Sequence, residues 1–380
     1  MKPLYILILL LIFKISHATN NDSIDYYLNM YNFNKVISIL NKKTSKTIDD
    51  YKTLGNCYYK IGDNKDAEQN YILALKIDSL DKNSLFNLGK IYYNVSEYNM
   101  SKLYFTKLYF TDTNNLYYLK QLSKINIKTR NFDIAKHQLK KIIKNNPKDI
   151  NSAVNLINIY YSEHKYLTAD SLINLKLADN LINKNMLNYK IKISYILDNY
   201  NDVIKYSKKY ISSYNPTKSI YKLLGLSFYN INLYDSAINY LTKINRYKDS
   251  EIVCYYIGLS YFKKNDFNKS KYYFTKAIDN GVSDNVTNYY KYLAFSCDNN
   301  KEYKLAIDNF KKAYKFSKKD VFLYYLAIVY DKYYKDKKIA IKYYEKYLSQ
   351  TDTNNQDYFN YSKYRLRLIK EKAHFYNDSL

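Results

Sequence analysis

The 380-residue chain has no tryptophan and only six glycines, three prolines, three cysteines and four histidines. Each shortage excludes something. Six glycines are too few for the turns of a many-stranded β protein, for a nucleotide-cradling α/β fold or for a collagen. Three cysteines and four histidines cannot build a disulfide framework or a zinc module of the usual spacing. The HExxH, GxSxG and phosphate-loop patterns are missing, and the acidic residues are scattered, so no catalytic residue, metal ligand or cofactor site is expected. The only long apolar run is Leu4 to Phe13. At ten residues it falls short of the roughly 20 that span a bilayer as a helix.

What the chain has in excess is tyrosine, 51 residues with 16 phenylalanines, and positive charge, with Lys+Arg 60 against Asp+Glu 35. A hydrophobic content of 47% argues for a folded chain despite the net +25. Lys2, the apolar run and the small residues of Ser16-His17-Ala18 predict a secretory signal peptide over 1–18, cleaved before Thr19. An uncleaved signal anchor is the alternative. Cleavage takes Lys2 and Lys14 from the +25, leaving +23. An exported protein rarely meets nucleic acid, so no nucleic-acid partner is expected. The basic excess reads as solubility, attraction to acidic envelope surfaces and, in larger part, AT-rich codon usage favouring Lys, Asn, Ile, Tyr and Phe.

Self-alignment reveals a period. Gly55 and Gly89 lie 34 residues apart within YKTLGNCYY and LFNLGKIYY, and the phrase returns around Gly225 and Gly258 as YKLLGLSFY and CYYIGLSYF. Ala67, Ala135, Ala169 and Ala237 form a second ladder at 34 or 68 residues, with Ala306 and Ala340 continuing it later. On these residues the chain resembles the tetratricopeptide repeat (TPR) family over about nine-tenths of its length. The resemblance implies an all-α, right-handed α-solenoid of about nine helix-turn-helix units. The expected divisions are a degenerate unit at 19–47, units one to seven at 48–286, units eight and nine at 287–350, and a capping helix and tail at 351–380. The 184–217 unit is weakest, and the period stretches to 36 between Gly258 and Ala294, so a bend is expected near 281–286.

Within each repeat, apolar spacings of 3, 4 and 7 predict two amphipathic helices of about 14 residues. Glycine at the eighth position and alanine at the twentieth are expected where the pair crosses most closely, with aromatics at the eleventh and twenty-fourth filling gaps between pairs. Cys57, Cys254 and Cys297 read as small buried thiols. The latter two fall at the fourth and eleventh positions of adjacent repeats, about 10 Å apart along the axis and beyond disulfide reach. In the terminal helix, Tyr361, Tyr364, Leu368 and Ile369 are expected on the covered stripe, with Arg365, Arg367, Lys370 and Lys372 opposite.

In TPR proteins the first helix of each pair lines a concave groove, and one known use is a Lys/Asn clamp on a peptide carboxylate. Lys52, Asn56 and Asn87 match that clamp in two repeats. Tyr117 and Gln121 stand where the third repeat should be basic. Tyr59, Tyr93, Tyr161, Tyr229 and Phe262 share the twelfth position and predict an interrupted aromatic ladder, with Lys90, Lys120, Lys124 and Lys222 nearby. Such a groove suits an extended or helical acidic segment of a partner protein. The expectation is a non-enzymatic scaffold in a bacterial envelope or periplasm. The alternatives are a component of outer-membrane assembly or secretion machinery, or a module recognising acidic envelope surfaces.

Overall fold

A computed structural model describes residues 23–281, 283–351 and 355–377, without the side chains of 373–377. The expected leader therefore lies outside the described residues. Every described element is helical. A short helix over 23–29 (α1) and Phe33–Asn41 (α2) form the degenerate leading unit. Nine two-helix repeats follow. Four are Ile48–Lys60 (α3) with Asn64–Ile77 (α4), Lys82–Asn94 (α5) with Tyr98–Thr111 (α6), Leu116–Lys128 (α7) with Phe132–Asn145 (α8), and Ile150–Ser162 (α9) with Tyr166–Ala178 (α10). Next come Lys184–Ile196 (α11) with Tyr200–Ser213 (α12), Lys218–Asn230 (α13) with Tyr234–Thr242 (α14), and Glu251–Lys263 (α15) with Phe267–Asp279 (α16). Val286–Asn299 (α17) with Tyr303–Ser317 (α18) and Val321–Tyr333 (α19) with Lys338–Gln350 (α20) complete the nine, before a terminal helix Gln356–Asn377 (α21).

The chain divides between Lys165 and Tyr166 into two compact units. Within each, a helix packs on its sequence neighbours, and in the second unit also on the first helix of the adjoining repeat, as in α-solenoid repeats of the tetratricopeptide type. The connection at 280–285 joins α16 and α17, which pack directly on each other.

Side-chain caps start many of the first helices: Thr47 forms a capping box with Asp50, and Asp81, Asp149 and Thr217 accept from backbone N–H groups three residues on. Between the two helices of a repeat, in all but the last, the chain reverses through one left-handed residue. Gly62 does so at φ 87°, where glycine is unstrained, but Ser96, Arg130, His164, Asp198, Asn232, Asn265 and Lys301 do so at φ 55–66°. Scarce glycine has thus been spent elsewhere, on the helix crossing.

There the ladders meet. A Cβ on Gly55 would lie 2.9 Å from the Tyr71 ring, on Gly89 2.7 Å from Phe105, on Gly225 2.6 Å from Leu241 and on Gly258 2.9 Å from Phe274. The twentieth-position alanines Ala67, Ala135, Ala169, Ala237 and Ala306 are fully buried, and Ala340 nearly so. In two repeats serine replaces alanine and ties the crossing: Ser101 Oγ donates to the Gly89 carbonyl at 2.7 Å and Ser270 Oγ to that of Gly258 at 3.1 Å. The twenty-fourth side chain does more than fill a gap between pairs. Tyr71 lies over its own repeat's glycine and reaches a cluster with Leu85 and Leu88 of the next. The eleventh-position ring stacks on the twenty-third of its own repeat, as in Tyr92–Tyr104, Phe228–Tyr240 and Tyr261–Tyr273, with centroids 5.4–5.6 Å apart.

The weak repeat breaks the pattern chemically without losing the fold. Its seventh position, leucine or isoleucine in the other repeats from 48 to 283, is Lys190, 2% exposed. Lys190 Nζ is held 2.9 Å from both Asp170 and Asp202 and sits 5.3 Å from the Tyr206 ring centre. Burial alone would lower its pKa, yet the two carboxylates raise it above the ordinary lysine value. Volume is exchanged across the crossing as well, with Ile191 and Val203 where glycine and alanine are usual and Ser207 in place of the ring, all fully buried.

The terminal helix corrects one expectation. Tyr361 and Tyr364 are exposed, and the covered stripe is Tyr358, Ser362, Arg365, Leu366 and Ile369. The reason is electrostatic. Asp331, at the end of α19, is 8% exposed and needs a counter-charge, and Arg365 turns inward to give it two hydrogen bonds at 2.6 and 3.2 Å. Burial would raise the Asp331 carboxyl, but Arg365 and Lys337 hold it below the usual value. Ser362, fully buried, lets the helices approach.

Candidate functional site

The candidate residues lie on the first helices of the repeats. Lys52, Thr53 and Asn56 from α3 and Asn83, Phe86 and Asn87 from α5 line one cavity of about 590 Å3, so the three clamp residues do come together. The cation there is already compensated. Lys52 Nζ lies 2.9 Å from Asp49 and 3.3 Å from Asp81, the residue that caps α5, and these carboxylates raise its pKa. Asn87 donates to the Asn83 side chain at 2.9 Å, and Tyr117, where a base was wanted, packs on Phe86 with centroids 5.9 Å apart.

Lys120 repeats the Lys52 arrangement. Its Nζ sits 2.7 Å from Asp149, the cap of α9, so both lysines tie one repeat to the start of the next. Lys90 instead lies over two rings, 5.1 Å from the centre of Tyr59 and 5.5 Å from that of Phe86. Lys124 is half-exposed on α7. Of the candidate cations in the first unit, Lys90 and Lys124 therefore keep their charge for a ligand, while Lys52 and Lys120 spend theirs internally.

The twelfth-position aromatics are half-buried, and three share a support. These pack on the first residue of their repeat's second helix: Tyr93 on Tyr98, Tyr229 on Tyr234 and Phe262 on Phe267, with centroids 5.6–5.8 Å apart. Tyr161 is half-buried on α9, and Tyr59 receives a hydrogen bond from Asn94 at 3.3 Å. Tyr195 belongs to the same ladder and packs on Tyr200 at 5.9 Å. Sequence reading missed it because its repeat carries Lys190 and Ile191 in place of the Leu-Gly signature, although counting twelve positions from Lys184 reaches it.

In the second unit, first-helix aromatics beyond the ladder join Tyr229 and Phe262 into a run that ends on the terminal helix. Tyr229 meets Tyr256 (5.2 Å), Tyr256 meets Tyr255 (5.5 Å), Tyr255 and Phe262 each meet Tyr292 (6.1 and 5.8 Å), Tyr292 meets Phe295 (6.2 Å), Phe295 meets Tyr325 (4.9 Å) and Tyr325 meets Tyr358 of α21 (6.0 Å). Burial pushes the Tyr229 phenol up to about 12, so its hydroxyl stays protonated and able to donate. Lys291, over the Tyr292 ring at 4.7 Å, has its pKa lowered by burial and by Lys319.

Cys57, Cys254 and Cys297 are buried free thiols, each pushed up to about 11 by burial. Among the described residues no group of three or more His, Cys, Asp or Glu side chains is placed to hold a metal, and no helix is long and apolar enough to cross a membrane.

No family model and no curated protein matches the chain. Among solved structures it is similar to a tetratricopeptide repeat protein from Parabacteroides merdae, at 15% identity over 74% of this chain and 98% of that one, TM-score 0.40. It is also similar to PilF of Pseudomonas aeruginosa (17%, 57% and 96%, TM-score 0.41) and to YrrB, a TPR protein with an unusual peptide-binding site (11%, 48% and 94%, TM-score 0.43). At such scores these likenesses say nothing of what this chain binds.

Proposed function

We propose that the chain is a protein-binding scaffold of the bacterial cell envelope, non-catalytic and without cofactor, exported by the leader at 1–18. The observation that carries this reading is the half-buried aromatic face of the first helices, flanked by Lys90 and Lys124 in one unit and by Lys291 in the other. Tyrosine and phenylalanine held by a second ring present contact area already fixed in rotamer, which lowers the entropic cost of gripping an extended or helical segment. Uncompensated lysines beside them favour an acidic segment. Affinity spread over several repeats suits a scaffold more than a tight single-site receptor. The net charge of +25 supports a second reading, contact with an acidic envelope surface.

Crosslinking in intact cells, followed by recovery of the tagged full chain from the envelope fraction, tests the proposal. The Tyr93→Ala/Tyr161→Ala variant should recover less partner at unchanged helical circular dichroism. Equal recovery would remove the aromatic face from consideration. Binding to anionic vesicles that vanishes at moderate salt marks the surface reading. The mature N-terminus should read Thr19.

A further inference from the structure

A cavity of about 470 Å3 opens between the first turns of α13 and the connection from α14 to α15, where Lys218, Lys222, Ser219, Ser250 and the Arg246–Asp249 pair surround the apolar Ile244 and Val253. It exists because this repeat is rebuilt. The second helix of the repeat stops at Thr242 after 9 residues, against 13–15 in the other eight, and a left-handed Arg246 leads into a single 3-10 turn at Tyr247–Asp249. The Cys254 thiol pins that turn by donating to the Lys248 carbonyl at 3.4 Å.

Comparison between repeats shows what the rebuilt connection lacks. Lysine at the fifth position of α3 and of α7 ends on the aspartate that caps the next first helix, Lys52 on Asp81 and Lys120 on Asp149. Lys222 is the fifth-position lysine of α13, but the residue preceding α15 is Ser250, which makes no side-chain cap hydrogen bond. The adjacent carboxylate, Asp249, is taken by Arg246 at 2.7 Å. Among the described residues no acidic side chain pairs with Lys218 or Lys222. The repeat has kept the cation and lost the cap carboxylate, leaving a cavity whose one acidic lining residue, Asp249, is already paired with Arg246.

We propose that this cavity binds a carboxylate supplied by a ligand, which takes the role that Asp81 and Asp149 play in the sister repeats. Two unpaired lysines beside an internally neutral Arg–Asp pair favour a dicarboxylate, and the Ser219 and Ser250 hydroxyls are available as donors. A free dicarboxylate and an acidic peptide end carry the same group. The site stands whether or not the aromatic face captures a partner.

Titration calorimetry of the full chain at low salt, with succinate in one arm and a peptide ending in Glu-Glu in the other, tests it. At least one probe should bind saturably and more weakly as salt rises. Ser250→Asp restores the missing cap carboxylate and, aspartate being a good cap, keeps the fold. It should weaken the probe roughly tenfold, as should Lys222→Met, while Lys107→Met, far along the chain, should not. Succinate binding with this pattern identifies a small dicarboxylate, and peptide binding alone identifies a protein carboxylate. If neither probe binds, or if Ser250→Asp binds as the unaltered chain does, the assignment is overturned.

Discussion

Replacing Lys190 by methionine isolates the most unusual interaction in the core. Methionine keeps the length of the lysine stem and resembles the leucine found at this position in other repeats, so packing changes little. What disappears is the charge between Asp170 and Asp202, each 2.9 Å from it. Removing one side of a buried ion pair costs about 3–5 kcal/mol. The two carboxylates are 19% and 28% exposed and partly hydrated once freed, which points to the lower end, about 3 kcal/mol. Urea unfolding followed by helical circular dichroism should show this as a lower midpoint at unchanged slope. The triple variant Lys190→Met/Asp170→Asn/Asp202→Asn should recover most of the loss, because it leaves no charge uncompensated. If Lys190→Met costs less than about 1 kcal/mol, or the triple variant is no better than the single, the lysine is not balancing the two aspartates.

Gly89→Ala should destabilise by about 1–2 kcal/mol despite its gain in helix propensity, because the new methyl meets the buried Phe105 ring. Adding Phe105→Leu, the residue type that Leu139 supplies opposite Ser123 one repeat on, should cost less than the two single changes summed. Arg365→Met should destabilise by about 1.5–3 kcal/mol at neutral pH, read by thermal unfolding. The Asp331 carboxyl is depressed by Arg365, so its contribution is present above the ordinary carboxylate value near 3.8 and is lost as pH falls through the lower folded value. The difference between Arg365→Met and the parent should therefore close below pH 4. Iodoacetamide at pH 8 should leave all three native thiols unmodified, since burial holds them near 11, and should modify all three in urea.

Residues that act in one place were legible in the sequence. The Gly55, Gly89, Gly225 and Gly258 ladder and the alanines at the twentieth position mark a contact between two helices of one repeat, and a fixed spacing suffices to find it. Interactions that compensate over two positions were less visible. The 184–217 repeat gave the weakest signal because Ile191 and Val203 replace glycine and alanine while Ser207 replaces the ring, and the burial of Lys190 depends on Asp170 and Asp202, which no fixed spacing marks. Periodicity gave the terminal helix but not its rotation, because Arg365 follows a single buried carboxylate and not a hydrophobic stripe. Position alone marked Lys52 and Lys120 as groove cations, and only the caps at Asp81 and Asp149 show them engaged.

The seven non-glycine residues that turn seven of the nine repeats through the left-handed region carry a consequence for how the array opens. Strain there is on the order of 1 kcal/mol per residue, less for the asparagines, the aspartate and His164, whose residue types visit this region more readily, than for Arg130 and Lys301. In a linear array such costs are not shared with the whole molecule but fall on the repeat that holds them and the contacts beside it. A uniform chain of identical repeats would fray from its ends. This one has weak points graded along its length, so a pulling force or a protease would find particular hairpins first, and glycine at Arg130 or Lys301 would move the point of failure without touching any helix.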